Sequence, residues 1–195
     1  MISPTLLVIG AYLLGSLSAA IIICKMLGLP DPRTQGSRNP GATNVLRIAS
    51  KKTAAMVLLG DLLKGLIPVL AARVIEVDQN VLAAVGLAAF LGHLYPLYFG
   101  FHGGKGVATA LGILLGLAWP VAIAVLVTWL VIAKVFRISS LAAIIAAAAA
   151  PLYTWLWGDS IPVLVMICVI STLLLWRHRG NMQRLVSGAE GKIDR

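Results

Sequence analysis

Apolar residues gather into seven runs along the chain, at about 5–23, 53–75, 81–99, 107–118, 121–136, 138–157 and 160–176. A helix needs about 20 such residues to cross the ~30 Å hydrocarbon core of a bilayer, with a working range of about 17–25. The fourth and fifth runs are short, and Trp119-Pro120 stands between them. Read as one helix, 107–136 would extend about 45 Å at 1.5 Å per residue, too long for a single span without severe tilt. Two short spans meeting at an interfacial turn are therefore expected.

The polar intervals test that count. Lys25, Arg33, Arg38, Arg47, Lys51 and Lys52 fall between the first two runs. Lys105 follows the third, Lys134 and Arg137 follow the fifth, and Arg177, Arg179, Arg184, Lys192 and Arg195 form the tail. Alternate gaps thus hold all of the sixteen basic residues except Lys64 and Arg73, while the opposite gaps hold Glu76, Asp78 and Asp159. The bias of Lys and Arg toward the cytoplasmic side then places the N-terminus outside and the C-terminus in the cytoplasm. Six spans would break this alternation. The expected fold is an all-α integral membrane protein of seven transmembrane helices, with residues 1–195 forming a single polytopic domain.

Composition agrees with this class. Of 195 residues 59% are hydrophobic and 12% charged, about half the charged share of a soluble domain. The opening MISPTLLVIGAYLLG lacks a basic n-region, so the first run is expected to be retained as a span. The net charge of +9 is read as topology bias and contact with anionic membrane lipids, not as nucleic-acid binding. Cys24 and Cys168 have no disulfide or metal-ligand spacing and are expected to pack as small hydrophobes.

Three stretches are too polar and glycine-rich for plain membrane loops, and all fall on the side assigned to the cytoplasm. The first is GSRNPGATNVLR, from Gly36 to Arg47. Gly36 and Gly41 let backbone amides approach an anion, Ser37, Asn39, Thr43 and Asn44 add neutral donors, and Arg47 can grip a phosphate with two nitrogens. The second is GFHGGKGVATA, where Gly103, Gly104 and Gly106 surround Lys105 ahead of a helix expected to start near Val107. It is not a P-loop: Phe99 stands five residues before Gly104, and Gly106 follows the lysine. The unpaired first amides of the helix and the Lys105 charge suit an anion. The third is RHRGNMQRLVSGAEGK, in which His178 and Asn181, three apart, share a helix face. Arg184, Glu190 and Lys192 are read as anchors of the tail. Ser139-Ser140, on the same side, suits a helix cap as readily as a ligand contact.

Asp61 and Lys64 lie three apart inside the second run, where charges are costly and usually paired; a buried ion pair that fixes the fold is expected. Gly112 and Gly116 form a GxxxG suited to close helix contact, and Ala146–Ala150 read as a tightly packed helix face. No H-x-x-x-x-D and no carboxylate pair is present near the polar stretches, so neither a metal nor a cofactor is expected. The donors together point to an anionic ligand carrying more than one phosphate group.

Taken in order, GSRNPGATNVLR, GHLYPLYFGFHGGKGVAT and HRGNMQRLVSGAEGK resemble the three signature segments of the bacterial acyl-phosphate-dependent glycerol-3-phosphate acyltransferases, the PlsY family, across essentially the whole chain. Two positions depart from that pattern: Arg38 stands where a small residue, usually Gly, is expected, and Ala142 where Gly is common. The resemblance implies transfer of a fatty acyl group from acyl-phosphate to the 1-hydroxyl of sn-glycerol 3-phosphate in the bacterial inner membrane, with the active site facing the cytoplasm. Lysophosphatidic acid and phosphate result, and a peripheral acyl-phosphate synthase is the implied supplier of the donor. It also implies that Arg47, Lys105, Ser140, His178 and Asn181 surround glycerol 3-phosphate, while Ser37 and the glycines of the first two segments cradle the acyl-phosphate.

Direct attack without an acyl-enzyme is expected, because an acyl-phosphate is a mixed anhydride with a good leaving group, so positioning and charge stabilisation supply most of the rate. Either His178 or a phosphate oxygen of the donor takes the hydroxyl proton; no acidic partner for His178 is evident in the sequence, which favours the donor oxygen. A serine acyl-enzyme at Ser37 lacks a neighbouring base. The rival class is an organic-phosphate transporter, but such sites lie near the midplane in repeated halves, whereas here the anion binders cluster on one face and no repeat is visible.

Overall fold

Each of the seven apolar runs is helical, though the first is broken in two, and the helix ends are set by local chemistry. The structure is a computed structural model that describes residues 3–193; Arg195 of the basic tail lies outside them. In chain order the helices are α1 (Pro4–Gly15), α2 (Ala19–Met26), α3 (Ala42–Ile48), α4 (Lys51–Val74), α5 (Gln79–Leu94), α6 (Val107–Leu117), α7 (Trp119–Phe136), α8 (Ser139–Trp157), α9 (Ile161–Arg177) and α10 (Arg179–Val186), with a 3-10 turn at Leu97–Phe99. No strand occurs among the described residues. Ser50 caps α4 by accepting from the Thr53 amide at 3.1 Å, and Asp78 caps α5 through the amides of Asn80 and Val81. Proline occupies the first turn of α1, α7 and α9, where its missing N–H costs nothing.

Four segments are long and apolar enough to cross a membrane: Lys51–Val74, Gln79–Phe99, Trp119–Phe136 and Ser139–Trp157. The first apolar run is two helices, α1 and α2, bent by 47° across Ser16–Ser18, and the last run continues past a 54° bend into α10. Counting each bent pair as one span gives six by length and composition. At eleven residues, α6 reaches roughly 16 Å, about half of a hydrocarbon core. Leu59, Ile67, Leu130, Val131, Leu156 and Val165 remain exposed on the longer helices, as expected where lipid replaces water as the solvent.

The helices group into two compact units, Met1–Leu117 and Ala118–Arg195. In the first, α4 packs on α6 and α1 on α5. The GxxxG of α6 makes the α4 contact possible: a Cβ on Gly112 would run into the Leu62 carbonyl, and one on Gly116 would lie 2.8 Å from Val69. Tyr12 donates to the Tyr95 carbonyl at 2.8 Å, tying α1 to the end of α5. Around α2, Cys24 fills a cluster with Ala20, Val45, Ala54 and Val57. Asp61 and Lys64 are buried in α4 as the expected pair, Nζ to Oδ1 at 2.8 Å.

In the second unit α8 packs between α7 and α9. Ala142, Ala143, Ala146, Ala147 and Ala150 are its buried side, so the alanine run is a packing face. Val163, Met166, Ile167 and Ile170 of α9 are buried as well. Cys168, expected to pack, is instead exposed on the apolar α9, a position a thiol tolerates in lipid. The Ile193 amide donates to the Arg137 carbonyl at 2.6 Å, holding the tail against the α7–α8 corner.

Candidate active site

Each unit carries its own cluster of the expected residues. In the first unit, the chain leaving α2 turns at Asp31-Pro32-Arg33. The Asp31 carboxylate accepts from the Arg33 amide at 2.8 Å and from the guanidinium, Nη2 to Oδ2 at 2.7 Å. Those Arg33 hydrogen bonds hold the Asp31 carboxyl below its ordinary pKa, outweighing the opposing effect of burial. Arg33 Nη1 also donates to the Phe99 carbonyl at 3.2 Å. The turn leading into the first polar stretch is thereby bound to the turn that precedes the second. In the sequence Arg33 shows only as a topology charge with an acidic neighbour two residues away; its partner Phe99, 66 residues on, leaves no local signal.

Asn44 organises the rest of this loop. It is buried in α3, its Oδ1 accepts from the Ser37 amide at 2.8 Å, and its Nδ2 donates to the carbonyls of Pro32 and Gln35. Its amide is thus occupied by the protein's own backbone. Gly36 has φ +56°, and a Cβ there would strike Asn44 Oδ1. Ser37, Thr43 and Arg47 are exposed, while Asn39 and Gly41 are half-buried. The stretch read as one polar loop is a loop plus a short helix, α3, that opens at Gly41 and carries Thr43, Asn44 and Arg47.

The second stretch is set by close approach. After α5 ends, Pro96 excludes further α-helix, and after the 3-10 turn the chain passes through Gly100 and Phe101, both left-handed, before α6 starts at Val107. The Gly104 amide donates to the His93 carbonyl at 3.2 Å. A Cβ on Gly103 would meet the carbonyls of His93 and Leu94, one on Gly104 the His93 ring, and one on Gly106 the Phe90 ring. Gly106 also has φ +90°, so any side chain there is strained. These glycines therefore have packing reasons besides the anion binding expected of them. Lys105 is half-buried between backbone positions fixed on both sides.

In the second unit, Ser140 and Asn181 converge on one carboxylate. Ser140 Oγ donates to Glu190 Oε1 at 2.7 Å, Asn181 Nδ2 donates to the same oxygen at 2.5 Å, and Arg184 Nε donates to Oε2 at 2.7 Å. Burial pushes the Glu190 pKa up, but the bonds from Ser140, Asn181 and Arg184 outweigh it and hold the carboxyl below its ordinary value. The cluster is an oxyanion site in chemical terms: neutral and cationic donors around a carboxylate. Glu190, expected to anchor the tail, does so and is also bonded to two of the expected site residues. Neither serine caps α8, whose N-cap is Ile138 without a side-chain bond; Ser140 turns its hydroxyl to Glu190 instead. His178 is buried at the corner between α9 and α10, with Nδ1 2.9 Å from the Leu174 carbonyl. That contact puts the proton of a neutral imidazole on Nδ1 and makes Nε2 the acceptor nitrogen. Among the described residues no group of three or more His, Cys, Asp or Glu side chains is placed to hold a metal ion.

The family model described as "Glycerol-3-phosphate acyltransferase" matches residues 5–188. The chain is 55% identical to a glycerol-3-phosphate acyltransferase of Methylococcus capsulatus, covering 96% of this chain and 95% of that one. It is 53% identical to that of Coxiella burnetii, covering 95% and 96%. Among solved structures it is similar to the crystal structure of PlsY (YgiH), an integral membrane glycerol 3-phosphate acyltransferase, in its glycerol 3-phosphate form. That likeness has a TM-score of 0.94 at 45% identity, over 98% of this chain and 96% of that one. The lysophosphatidic acid form gives 0.91 at 44% identity, over 97% and 94%.

Proposed function

The chain belongs to the glycerol-3-phosphate acyltransferase family, and on that premise we propose that it is an integral membrane enzyme that acylates the 1-hydroxyl of sn-glycerol 3-phosphate with acyl-phosphate as donor. This is the first acylation of phospholipid synthesis. The observation that carries the reading is the whole-chain likeness to PlsY in its glycerol 3-phosphate form. The residues support it, because both proposed substrates are phosphorylated and the polar groups are mostly hydrogen-bond donors suited to anions.

Arg47, Lys105, Ser140, His178 and Asn181 bind glycerol 3-phosphate, and Ser37 with Gly36, Gly41, Gly103, Gly104 and Gly106 holds the acyl-phosphate; Asn39, Thr43 and Asn44 complete the first segment. The acceptor oxygen attacks the acyl carbonyl carbon, forming the ester bond. The bond from that carbon to the phosphate oxygen breaks, and inorganic phosphate leaves. A phosphate oxygen takes the hydroxyl proton, with His178 orienting the acceptor. Cationic groups and amides lower the barrier by stabilising the charge as it moves onto the departing phosphate. Seven spans, with the N-terminus outside and the site at the cytoplasmic face of a bacterial inner membrane, follow from the alternation of basic residues. A peripheral synthase of acyl-phosphate is the natural partner, since the donor is both lipidic and labile.

The test is incubation of purified protein with glycerol 3-phosphate and palmitoyl-phosphate, with palmitoyl-CoA in parallel. Lysophosphatidic acid is expected from the phosphate donor alone; product from palmitoyl-CoA alone would overturn the donor assignment. Thiol labelling of cysteine replacements at Lys105 and His178 tests the topology, and labelling from opposite sides would rule out a shared site.

A further inference from the structure

The reaction drawn above makes no use of a buried polar cluster beneath the glycine turn. Asp61 and Lys64 in α4 are 3% and 5% exposed, and His93 at the end of α5 is 6% exposed. Charges so deep are costly unless their partners are well placed. Lys64 Nζ lies 2.8 Å from Asp61 Oδ1 and donates, also at 2.8 Å, to the Leu17 carbonyl in the break between α1 and α2. The same Asp61 oxygen faces His93 Nδ1 at 3.6 Å. On the opposite edge of the ring, Nε2 fills the space where a Gly104 Cβ would stand, and the His93 carbonyl accepts the Gly104 amide. A polar chain thus runs from Leu17 through Lys64, Asp61 and His93 to Gly104, one residue before Lys105.

We infer that His93, oriented by the Asp61–Lys64 pair, is a positioning residue that fixes the backbone of the glycine turn and so sets where Lys105 meets phosphate. The inference rests on the reading of Lys105 as a phosphate ligand. A residue that merely packed could be replaced by an apolar one of similar volume at little cost; a positioning residue cannot, because its ring contacts the turn on one edge and answers a carboxylate on the other.

The experiment is a double-mutant cycle on the full-length enzyme, with His93→Leu, Lys105→Ala and the double variant, reading kcat, KM for each substrate and the unfolding temperature. Asp61→Asn, which leaves the turn untouched, is run alongside. His93→Leu is expected to lower kcat/KM by about tenfold or more while unfolding stays within a few degrees of wild type; Asp61→Asn is expected to lower kcat/KM as well, with a reduced unfolding temperature because Lys64 loses its buried partner; and Lys105→Ala is expected to cost at least about tenfold less in the His93→Leu background than in wild type. Should His93→Leu fail to fold, His93→Gln carries the same cycle. Equal Lys105→Ala penalties in the two backgrounds, or wild-type kcat/KM in the His93 variant, overturn the inference alone. A silent Lys105→Ala in the otherwise active wild type overturns the Lys105 reading and this inference with it.

Discussion

The side-chain oxygen of Asn44 accepts the backbone amide of Ser37 at 2.8 Å, while its nitrogen donates to the carbonyls of Pro32 and Gln35. One buried amide therefore satisfies three backbone groups of the loop that carries Ser37. Asn44→Ala leaves them unpaired, at about 1–3 kcal/mol for each group that stays buried. Asn44→Asp keeps the acceptor for Ser37 but sets a negative charge against two carbonyls. Both variants are expected to lower the unfolding temperature and to open residues 32–37 to proteolysis, with activity falling in step. Unchanged cleavage there would show that the loop holds itself.

Glu190 makes the second unit acid-sensitive. Its folded carboxyl is held below its ordinary value by Ser140, Asn181 and Arg184, against the effect of burial. A depressed carboxyl contributes stability that is complete above the unfolded value of about 4.3 and is lost as pH falls through the lower folded value. Unfolding measured across acid pH is expected to show this loss in wild type and to lack it in Glu190→Gln, which is less stable at neutral pH. Superimposable curves would remove Glu190 from the account.

Arg38 sits at φ +58°, which explains why glycine suits the position that departs from the family pattern. A left-handed backbone costs a residue with a Cβ about 1–2 kcal/mol. Replacing Arg38 by Gly and by Ala removes the same charge, so the comparison isolates the backbone. Arg38→Gly is expected to be the more stable of the two by up to about 1 kcal/mol, because glycine's larger unfolded-state entropy offsets part of the relief. Equal unfolding temperatures would mean the loop relaxes around either residue.

His178 has its Nδ1 held by the Leu174 carbonyl at 2.9 Å, a contact that orients the ring toward the acceptor. His178→Gln is expected to retain a measurable part of kcat with a raised KM for glycerol 3-phosphate. A fall of about 10⁴ in kcat at unchanged KM, the upper range for general-base loss, would instead make the histidine the base.

The sequence by itself determined where the long apolar helices run, because hydropathy, proline and glycine act over a few residues, but not that α3 forms within the first polar stretch. It placed the start of α6 at Val107 and the Asp61–Lys64 pair, and put the break between α6 and α7 at Trp119-Pro120, just past Ala118 where it falls, all of them one turn or less in extent. It was less informative at Ser16–Ser18 and at Tyr95–Phe101, where apolar composition continues but the helix stops. Tertiary structure alone decided that Asn44 serves the loop, that Glu190 gathers Ser140 and Asn181, that Arg33 reaches Phe99, and that Gly103, Gly104 and Gly106 admit no side chain. Each of these depends on residues brought together from different turns and helices, and in a chain where lipid-facing and buried positions are equally apolar, periodicity carries no record of which faces meet.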